Sequence, residues 1–314
     1  MKKIILLFPG QGSQKVGMGK DVCDSMPEAR QVFDTFDSSI DIKISQLCFE
    51  GPETDLTLTP NTQPAITAVN LALLAGLAKA GVKPVAAAGH SLGEYSAYAA
   101  AGVFDTAAAA KLTRMRGTLM QACADLRPGA MSAILGLALD AVDAACAAAS
   151  AETGKVVAAA NYNSPEQVVI TGEKEAVARA SALCSEKGAK KVVELKVSGA
   201  WHCKLLQDAQ DQFAAKLDSF SFANPAFPVY ANVDAQAKKS AAEVKDALVR
   251  QITSPVRWTQ LIQAMRADFP DAEFVECGPG KVLRGLFMGL DRNAVCHNVE
   301  DAKSLAETLA KISG

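Results

Sequence analysis

Residues 89–93 of the chain read GHSLG, which is the G-x-S-x-G pattern of a nucleophile elbow. The preceding segment 84–88 is small and apolar, as expected of a buried strand, and residues 92–101 are typical of a helix. The glycines leave room where a strained turn brings two backbones together. Free N–H groups at the helix N-terminus would favour the negative charge of a tetrahedral intermediate. The pattern therefore predicts that Ser91 is the nucleophile of an acyl-transfer reaction.

The bulk composition limits the possible partners. The chain has 314 residues, 49% of them hydrophobic, and a formal net charge of −2. This length suffices for one large core, or for a core with a small second domain. The near-neutral charge gives no electrostatic reason to expect nucleic acid or an anionic membrane as a partner. The eight cysteines include no C-x-x-C pair, so we expect reduced thiols and no metal site.

The first residues resemble the start of a signal peptide, with two lysines before an apolar run. That run ends at Pro9, which is too early for the apolar core of such a signal, so we interpret residues 3–8 as a buried first strand. No stretch is long and apolar enough to span a bilayer. We therefore expect a cytoplasmic protein.

The pattern of strands and helices changes after residue 127. The next six elements follow the order βαββαβ, which is the ferredoxin-like arrangement. They are the predicted strands 130–137, 155–160, 167–171 and 190–197 and the predicted helices 140–151 and 173–187. We therefore predict an α/β fold: a large α/β-hydrolase-like domain with a mainly parallel sheet, formed by residues 1–127 and 198–314, and an inserted small ferredoxin-like domain at 128–197. The alternative is that these strands extend the main sheet.

A serine nucleophile needs a base, and the chain has three histidines. His90 is the neighbour of Ser91, and successive side chains in the elbow point apart. His297 ends an apolar late strand, residues 294–297, where a core or strand-end role is more common. His202 lies in a loop just before a helix, a place from which a side chain can reach a cleft. Elimination therefore selects His202 as the base.

Several ordered segments together resemble the malonyl-CoA:acyl carrier protein transacylase family. The matching segments run in order from residue 8 to about residue 284, nearly the whole chain. They are PGQGSQ at 9–14, GHSLGE at 89–94, Arg116 within MRG, the stretch 161–172, His202 before its helix, and GPGKVL at 278–283.

The resemblance implies a reaction and its partners. Malonyl-CoA would acylate Ser91, and the phosphopantetheine thiol of acyl carrier protein would then take the malonyl group in a ping-pong transfer. Arg116 would bind the free malonyl carboxylate, which suits a planar guanidinium that can donate two hydrogen bonds. The alternative for Arg116 is a solvated helix face, as we assume for Arg114. No cofactor would be bound permanently, because malonyl-CoA is a substrate and the phosphopantetheine belongs to the partner.

The resemblance also implies supporting roles. The backbone N–H groups of Gln11 and Leu92 would form the oxyanion hole. The backbone carbonyl of Gln251 would orient the histidine, giving a Ser–His dyad. Asn161 and Trp201 would line the substrate site. Trp201 is bulky and would favour malonyl over α-branched groups, unless it points into the core.

Two other functions remain open at this point. An α/β hydrolase shares the G-x-S-x-G pattern but passes its acyl group to water, and an inactive carrier-protein docking module would need no intact Ser91, His202 and Arg116. Cys203 is a further candidate nucleophile, but no elbow surrounds it. The chain carries no fused ketosynthase, which in this family favours fatty acid synthesis by discrete enzymes. We also expect a monomer.

Overall fold

The computed structural model describes residues 2–290 and 295–313. Its strands form two sheets, and its helices pack against them. In chain order the elements are β1 (Ile4–Phe8), α1 (Lys20–Ser25), α2 (Pro27–Ser39), α3 (Ile44–Glu50), α4 (Glu53–Leu56), α5 (Thr59–Lys79), β2 (Pro84–Gly89), α6 (Gly93–Ala100), α7 (Thr106–Leu126), β3 (Ala130–Leu135), α8 (Leu139–Thr153), β4 (Val157–Ser164), β5 (Gln167–Gly172), α9 (Lys174–Glu186), β6 (Lys191–Glu194), a 3₁₀ helix (Lys204–Leu206), α10 (Gln207–Leu217), β7 (Val229–Tyr230), β8 (Ala237–Lys238), α11 (Ala241–Gln251), α12 (Trp258–Asp268), β9 (Glu273–Cys277), α13 (Val282–Leu290), β10 (Cys296–Val299) and α14 (Ala302–Ile312).

The larger sheet has the strand order β10-β9-β1-β2-β7-β8. Its first five strands pair in parallel, and only β8 runs antiparallel to its neighbour β7. The central strand β1 is apolar throughout because both of its faces are covered. Ile4, Leu6 and Phe8 belong to one core cluster, while Ile5 and Leu7 belong to another. The prediction of a mainly parallel sheet is confirmed.

The second sheet is antiparallel and separate, with the order β4-β5-β3-β6. Helices α8 and α9 share its apolar cluster, which includes Ile134, Val168 and Ile170. These strands therefore form a sheet of their own and do not extend the main one. An isolated parallel bridge joins β4 to the segment before α12: Tyr162 N–H donates to the Val256 carbonyl at 2.9 Å, and Val256 N–H donates to the Ala160 carbonyl at 2.8 Å.

Some predicted boundaries were wrong. The strand predicted at 190–197 ends at Glu194, and residues 195–198 instead line a cavity. The apolar run from Ala65 to Ala80 predicts a helix over these residues, but helix α5 begins at Thr59, with Pro64 inside it. A proline at 64 leaves the Pro60 carbonyl without its usual helical donor, and the Arg114 guanidinium donates to that carbonyl at 3.0 Å.

The sequence did not predict several helices, and one predicted strand begins outside the described residues. Helices α1 to α4 and α11 were not predicted, although Ser240 forms a capping box with Glu243 at the start of α11. Ala294, predicted to begin the last strand, lies outside the described residues. No helix of the described part combines the length and the apolar character needed to cross a membrane.

Candidate active site

Ser91 lies in the sharp turn between β2 and α6 and has a φ of 50°, in the left-handed region. The turn is possible only with its two glycines. A Cβ on Gly89 would lie 1.9 Å from the Gly93 carbonyl carbon, and a Cβ on Gly93 would lie 2.0 Å from the Phe8 carbonyl oxygen. The elbow is therefore packed against both its own helix and strand β1, and the serine is held at the end of the parallel sheet.

His202 is within hydrogen-bond distance of the serine, with its Nε2 atom 2.8 Å from Ser91 Oγ. Its Nδ1 atom is 3.1 Å from the backbone carbonyl of Gln251. The side-chain amide nitrogen of Gln251 lies at the same 3.1 Å from Nδ1, but a protonated Nδ1 can use only an acceptor. With Nδ1–H donating to the carbonyl, Nε2 is free to accept the serine proton.

The environment keeps His202 neutral. Burial, and after it the positive charge of Arg116, lower the pKa of this imidazole from 6.5 to about 3, although the hydrogen bond to Gln251 opposes the shift. The residue as a whole is only 5% exposed. A neutral imidazole at pH 7 is the form that can accept a proton from Ser91.

The two other histidines have different partners. His90 Nε2 lies 2.8 Å from Asn163 Oδ1, and its ring packs against Trp258. His297 is bound to Glu273, with Nε2 2.7 Å from a carboxylate oxygen, on the β9–β10 side of the sheet. The structure thus brings only His202, of the three, to the Ser91 hydroxyl.

Cys203 is a poor nucleophile in this setting. Its thiol is buried and lies 3.5 Å from the Ala200 carbonyl oxygen. Burial raises the pKa of this thiol above its usual value, so the reactive thiolate is disfavoured.

Arg116 is a buried cation beside the nucleophile, with 1% of its surface exposed. One terminal nitrogen donates to Gln63 Oε1 at 2.9 Å, and the other donates to Gln251 Oε1 at 2.7 Å and to Ser91 Oγ at 3.2 Å. Its Nε atom has no hydrogen-bond partner within the described part of the chain. The guanidinium carbon also lies 5.7 Å from the centre of the Tyr95 ring. The solvated-face alternative for Arg116 is therefore wrong.

The neighbouring Arg114 lies at the surface, as expected, but it is ion-paired and only partly exposed. Its guanidinium donates two hydrogen bonds of 2.8 Å to the carboxylate of Asp41, and it also contacts Asn61. Because α7 turns by about 100° per residue, Arg114 and Arg116 leave the helix on opposite sides. Arg114 is thus held at the surface by an ion pair, away from Ser91.

Asn232 is a site residue that the sequence reasoning missed. Its Oδ1 accepts a hydrogen bond from Ser91 N–H at 2.6 Å, and its Nδ2 donates to the Gly89 carbonyl at 2.7 Å. Asn232 lies just after the short strand β7, next to β2 in the parallel sheet. A polar residue directly after a parallel strand is a general sign of a site at the carboxyl edge, and that sign could have revealed it.

Gln11 and Leu92 are predicted to form the oxyanion hole, and Gly10, the residue before Gln11, packs against the elbow that contains Leu92. A Cβ on Gly10 would lie 2.3 Å from the His90 carbonyl oxygen and 3.6 Å from the Leu92 nitrogen, so the glycine-rich loop touches the elbow. The Gln11 side chain is tied away by a 3.2 Å hydrogen bond to Thr59. The role of the two backbone N–H groups stays a prediction.

A cavity of about 360 Å³ lies next to Ser91, and most of the predicted site residues line it. Asn161 and Trp201 both line it, and Trp201 is only 7% exposed because it also packs into the main core. The lining residues named in the sequence analysis are Gln11, His90, Ser91, Arg116, Asn161, Trp201 and His202. The described residues contain no cluster of histidine, cysteine and acidic side chains that could hold a metal ion.

Comparison with known proteins identifies the family. The sequence profile described as "Acyl transferase domain" matches residues 5–305. The chain is 42% identical over 306 residues to the malonyl CoA-acyl carrier protein transacylase of Haemophilus influenzae, with 97% of each protein covered. The chain belongs to this transacylase family. The resemblance predicted from the sequence is thus confirmed.

Solved structures of the transacylase family agree with this fold. An acyl carrier protein S-malonyltransferase from Vibrio cholerae has a TM-score of 0.93 and 42% identity, with 98% of this chain and 99% of that chain covered. A malonyl-transacylase in complex with its holo type II PKS acyl-carrier protein also has a TM-score of 0.93, at 39% identity and the same coverage.

Proposed function

We propose that this chain transfers a malonyl group from malonyl-CoA to the phosphopantetheine thiol of acyl carrier protein, through a malonyl ester on Ser91. The observation that carries the proposal is the position of Arg116. It is a buried cation 3.2 Å from the Ser91 hydroxyl, and its three hydrogen-bond partners are neutral. An acyl group with a free carboxylate would supply the missing negative charge. Membership in the transacylase family supports the same substrate.

The two halves of the reaction use the same groups. In the first half, His202 Nε2 takes the proton of Ser91 Oγ as the oxygen attacks the thioester carbonyl of malonyl-CoA. The N–H groups of Gln11 and Leu92 stabilise the oxyanion, and the imidazolium returns its proton to the departing CoA thiolate. In the second half, His202 takes the proton of the carrier-protein thiol, whose sulfur attacks the ester. The proton then returns to Ser91 as the malonyl thioester leaves.

A hydrolase would pass the same acyl group to water. Arg116 argues for transfer because a carboxylate held by it would fix the acyl group in the cavity and leave little room for an attacking water. Asn161 and Trp201 form part of the wall that contacts the acyl group, and Trp201 narrows the cavity in favour of malonyl over α-branched groups. The complete set of Ser91, His202 and Arg116 argues against an inactive docking module.

The domain organisation is part of the proposal. Residues 1–127 and 198–314 form one α/β-hydrolase-like domain, and residues 128–197 form an inserted ferredoxin-like domain. The order of the second sheet, with β3 and β5 in its centre and helices α8 and α9 packed together, supports this assignment. We further propose a cytoplasmic monomer that holds no permanent cofactor and supplies fatty acid synthesis.

Intact-mass measurement tests the function directly. Mixing the protein with malonyl-CoA should give a malonyl adduct, and adding holo acyl carrier protein should move the group to the carrier. Ser91→Ala should abolish the adduct, while Cys203→Ala should retain it. An adduct that maps to Cys203 after digestion would overturn the assignment, and loss of the group to water in the presence of the carrier would favour the hydrolase.

A further inference from the structure

The partners of the buried guanidinium of Arg116 share one property, which is that none carries a charge. Two glutamine side chains, Gln63 and Gln251, accept from its terminal nitrogens at 2.9 and 2.7 Å. No carboxylate within the described ranges, residues 2–290 and 295–313, is in ion-pair contact with it. A buried arginine is ordinarily paired with an acid, because burial of an unpaired charge is unfavourable. The positive charge of Arg116 is therefore available to pair with a carboxylate of a bound acyl group.

The orientation of Gln63 is fixed by its surroundings. The residue is fully buried on α5, and its Nε2 donates to the sulfur of Met120 at 3.6 Å. With the amide nitrogen directed to Met120, the oxygen faces Arg116. Gln63 therefore supports the guanidinium as an acceptor and leaves its net charge unchanged.

Glu94 is the acid whose charge acts on Arg116, but it is not among the hydrogen-bond partners of the guanidinium. Glu94 is fully buried and bound by the Tyr98 hydroxyl at 3.0 Å. Burial raises the pKa of this carboxyl to about 8, so it is mostly protonated at neutral pH.

We propose that Gln63 is a specificity-determining residue: its neutral amide holds Arg116 in place without cancelling the charge that selects acyl groups with a free carboxylate. A glutamate of the same shape at this position would pair with Arg116 before the substrate arrives, and a second carboxylate would then meet a neutralised site. This inference rests on the proposed function, since it concerns the choice of acyl group at Ser91.

The test is Gln63→Glu, measured as kcat/KM for acyl-enzyme formation with malonyl-CoA and with acetyl-CoA. We expect the malonyl value to fall by about 10²-fold, because the introduced carboxylate and the malonyl carboxylate repel each other. The acetyl value should stay within about threefold, because an uncharged acyl group needs no cation. Gln63→Met is neutral but cannot accept the hydrogen bond from Arg116. Because the guanidinium keeps its charge in this variant, the malonyl-to-acetyl ratio should fall much less than in Gln63→Glu.

Gln121→Glu is the matched control. It adds the same charge to the helix that carries Arg116, but Gln121 contacts Ser198 and Asp125 instead of the guanidinium. Its malonyl-to-acetyl ratio should equal that of the unmodified protein. If Gln63→Glu does not fold, Gln251→Glu places a carboxylate on the other terminal nitrogen of Arg116 and should shift the ratio in the same direction.

An unchanged ratio in a folded Gln63→Glu or Gln251→Glu variant would overturn the inference, as would a Gln63→Met variant that shifts the ratio as far as Gln63→Glu does. Failure of the unmodified protein to form any malonyl adduct would instead overturn the proposed function itself.

Discussion

The side-chain amide of Asn232 bridges the elbow that carries Ser91. It accepts from the Ser91 N–H at 2.6 Å and donates to the Gly89 carbonyl at 2.7 Å. Ser91 has a φ of 50°, a conformation that non-glycine residues adopt at a cost of about 1 kcal/mol or more. The two hydrogen bonds stabilise that conformation from a neighbouring strand. We infer that Asn232 is a positioning residue for the nucleophile.

Replacing Asn232 should therefore reduce both activity and stability. Asn232→Ala leaves the part-buried Ser91 N–H and the buried Gly89 carbonyl without their partner, which should lower the free energy of unfolding by about 1–3 kcal/mol. Because the serine is then poorly held, kcat for malonyl transfer should fall by about tenfold or more while KM changes less. Denaturant unfolding and steady-state kinetics measure the two effects. Asn61→Ala removes hydrogen bonds to Arg114 and to the Asp55 carbonyl, away from the elbow, so it should leave kcat unchanged. An unchanged kcat in Asn232→Ala would refute the positioning role.

Loss of the base should be much more severe than loss of another histidine. His202→Ala removes the group that accepts the Ser91 proton, so turnover should fall by about 10²–10⁴-fold. His297→Ala breaks only the contact with Glu273 and should leave turnover nearly unchanged. Steady-state transfer to holo acyl carrier protein provides the measurement. The opposite pattern of losses would show that the base was wrongly chosen.

The pH dependence of acylation should reflect the low pKa of His202. Since this pKa is lowered to about 3, the neutral base persists well below pH 6.5, and kcat/KM should have no acid limb at the usual histidine value. Arg116→Ala removes one cause of the lowering, so its acid limb, measured with acetyl-CoA, should lie at higher pH. An acid limb near 6.5 in the unmodified protein would contradict the assignment.

Protein stability should depend on pH through the same group. Between about 3 and 6.5 the unfolded chain binds a proton at His202 that the folded chain does not. The contribution to stability is therefore complete above the unfolded pKa and is lost as the pH falls from 6.5 toward 3. Urea unfolding of the unmodified protein and of His202→Ala over this window should show a shallower pH slope in the variant. Equal slopes would mean that the imidazole is not held neutral by the fold.

Arg116 should determine which acyl groups are accepted. In Arg116→Ala the malonyl carboxylate would lose the buried guanidinium, so kcat/KM for malonyl-CoA should fall steeply, while acetyl transfer should survive or increase. The ratio of the two values cancels any general damage to the fold. Arg114→Ala, which breaks the Asp41 ion pair, should leave the ratio unchanged. If both rates fall together in Arg116→Ala, the residue is structural.

The parts of the site that depend on local sequence could be predicted. The Ser91 elbow, the apolar first strand and the loop position of His202 each follow from a few consecutive residues. Gln63 could not be found in this way, because its role depends on contacts across the fold. The position of Asn232 after a short strand indicates the carboxyl edge of the sheet, but it does not indicate the contact with Ser91. Asn232 reaches the elbow only because β7 pairs with β2, and no local pattern encodes that pairing.

The errors in the fold have a similar origin. The alternation of Val193, Leu195 and Val197 predicts a strand to residue 197, but antiparallel pairing with β3 ends at Glu194. Beyond that point the chain lines the cavity, and Leu195 both packs against the main core and contributes to the cavity wall. An apolar residue that lines a cavity and one that faces a core look the same in a sequence.

The bridge between β4 and Val256 has a consequence for protein engineering. Asn161 belongs to the cavity wall, and its backbone is paired with a segment only a few residues beyond Gln251, whose carbonyl orients the His202 ring. The backbone of the cavity wall is thus hydrogen-bonded to the segment that follows Gln251, which orients the base. A redesign that widens the cavity by moving β4 would also shift the alignment of the imidazole. Broader acyl-group tolerance is therefore more safely sought through side chains such as Trp201, which line the cavity without taking part in this bridge.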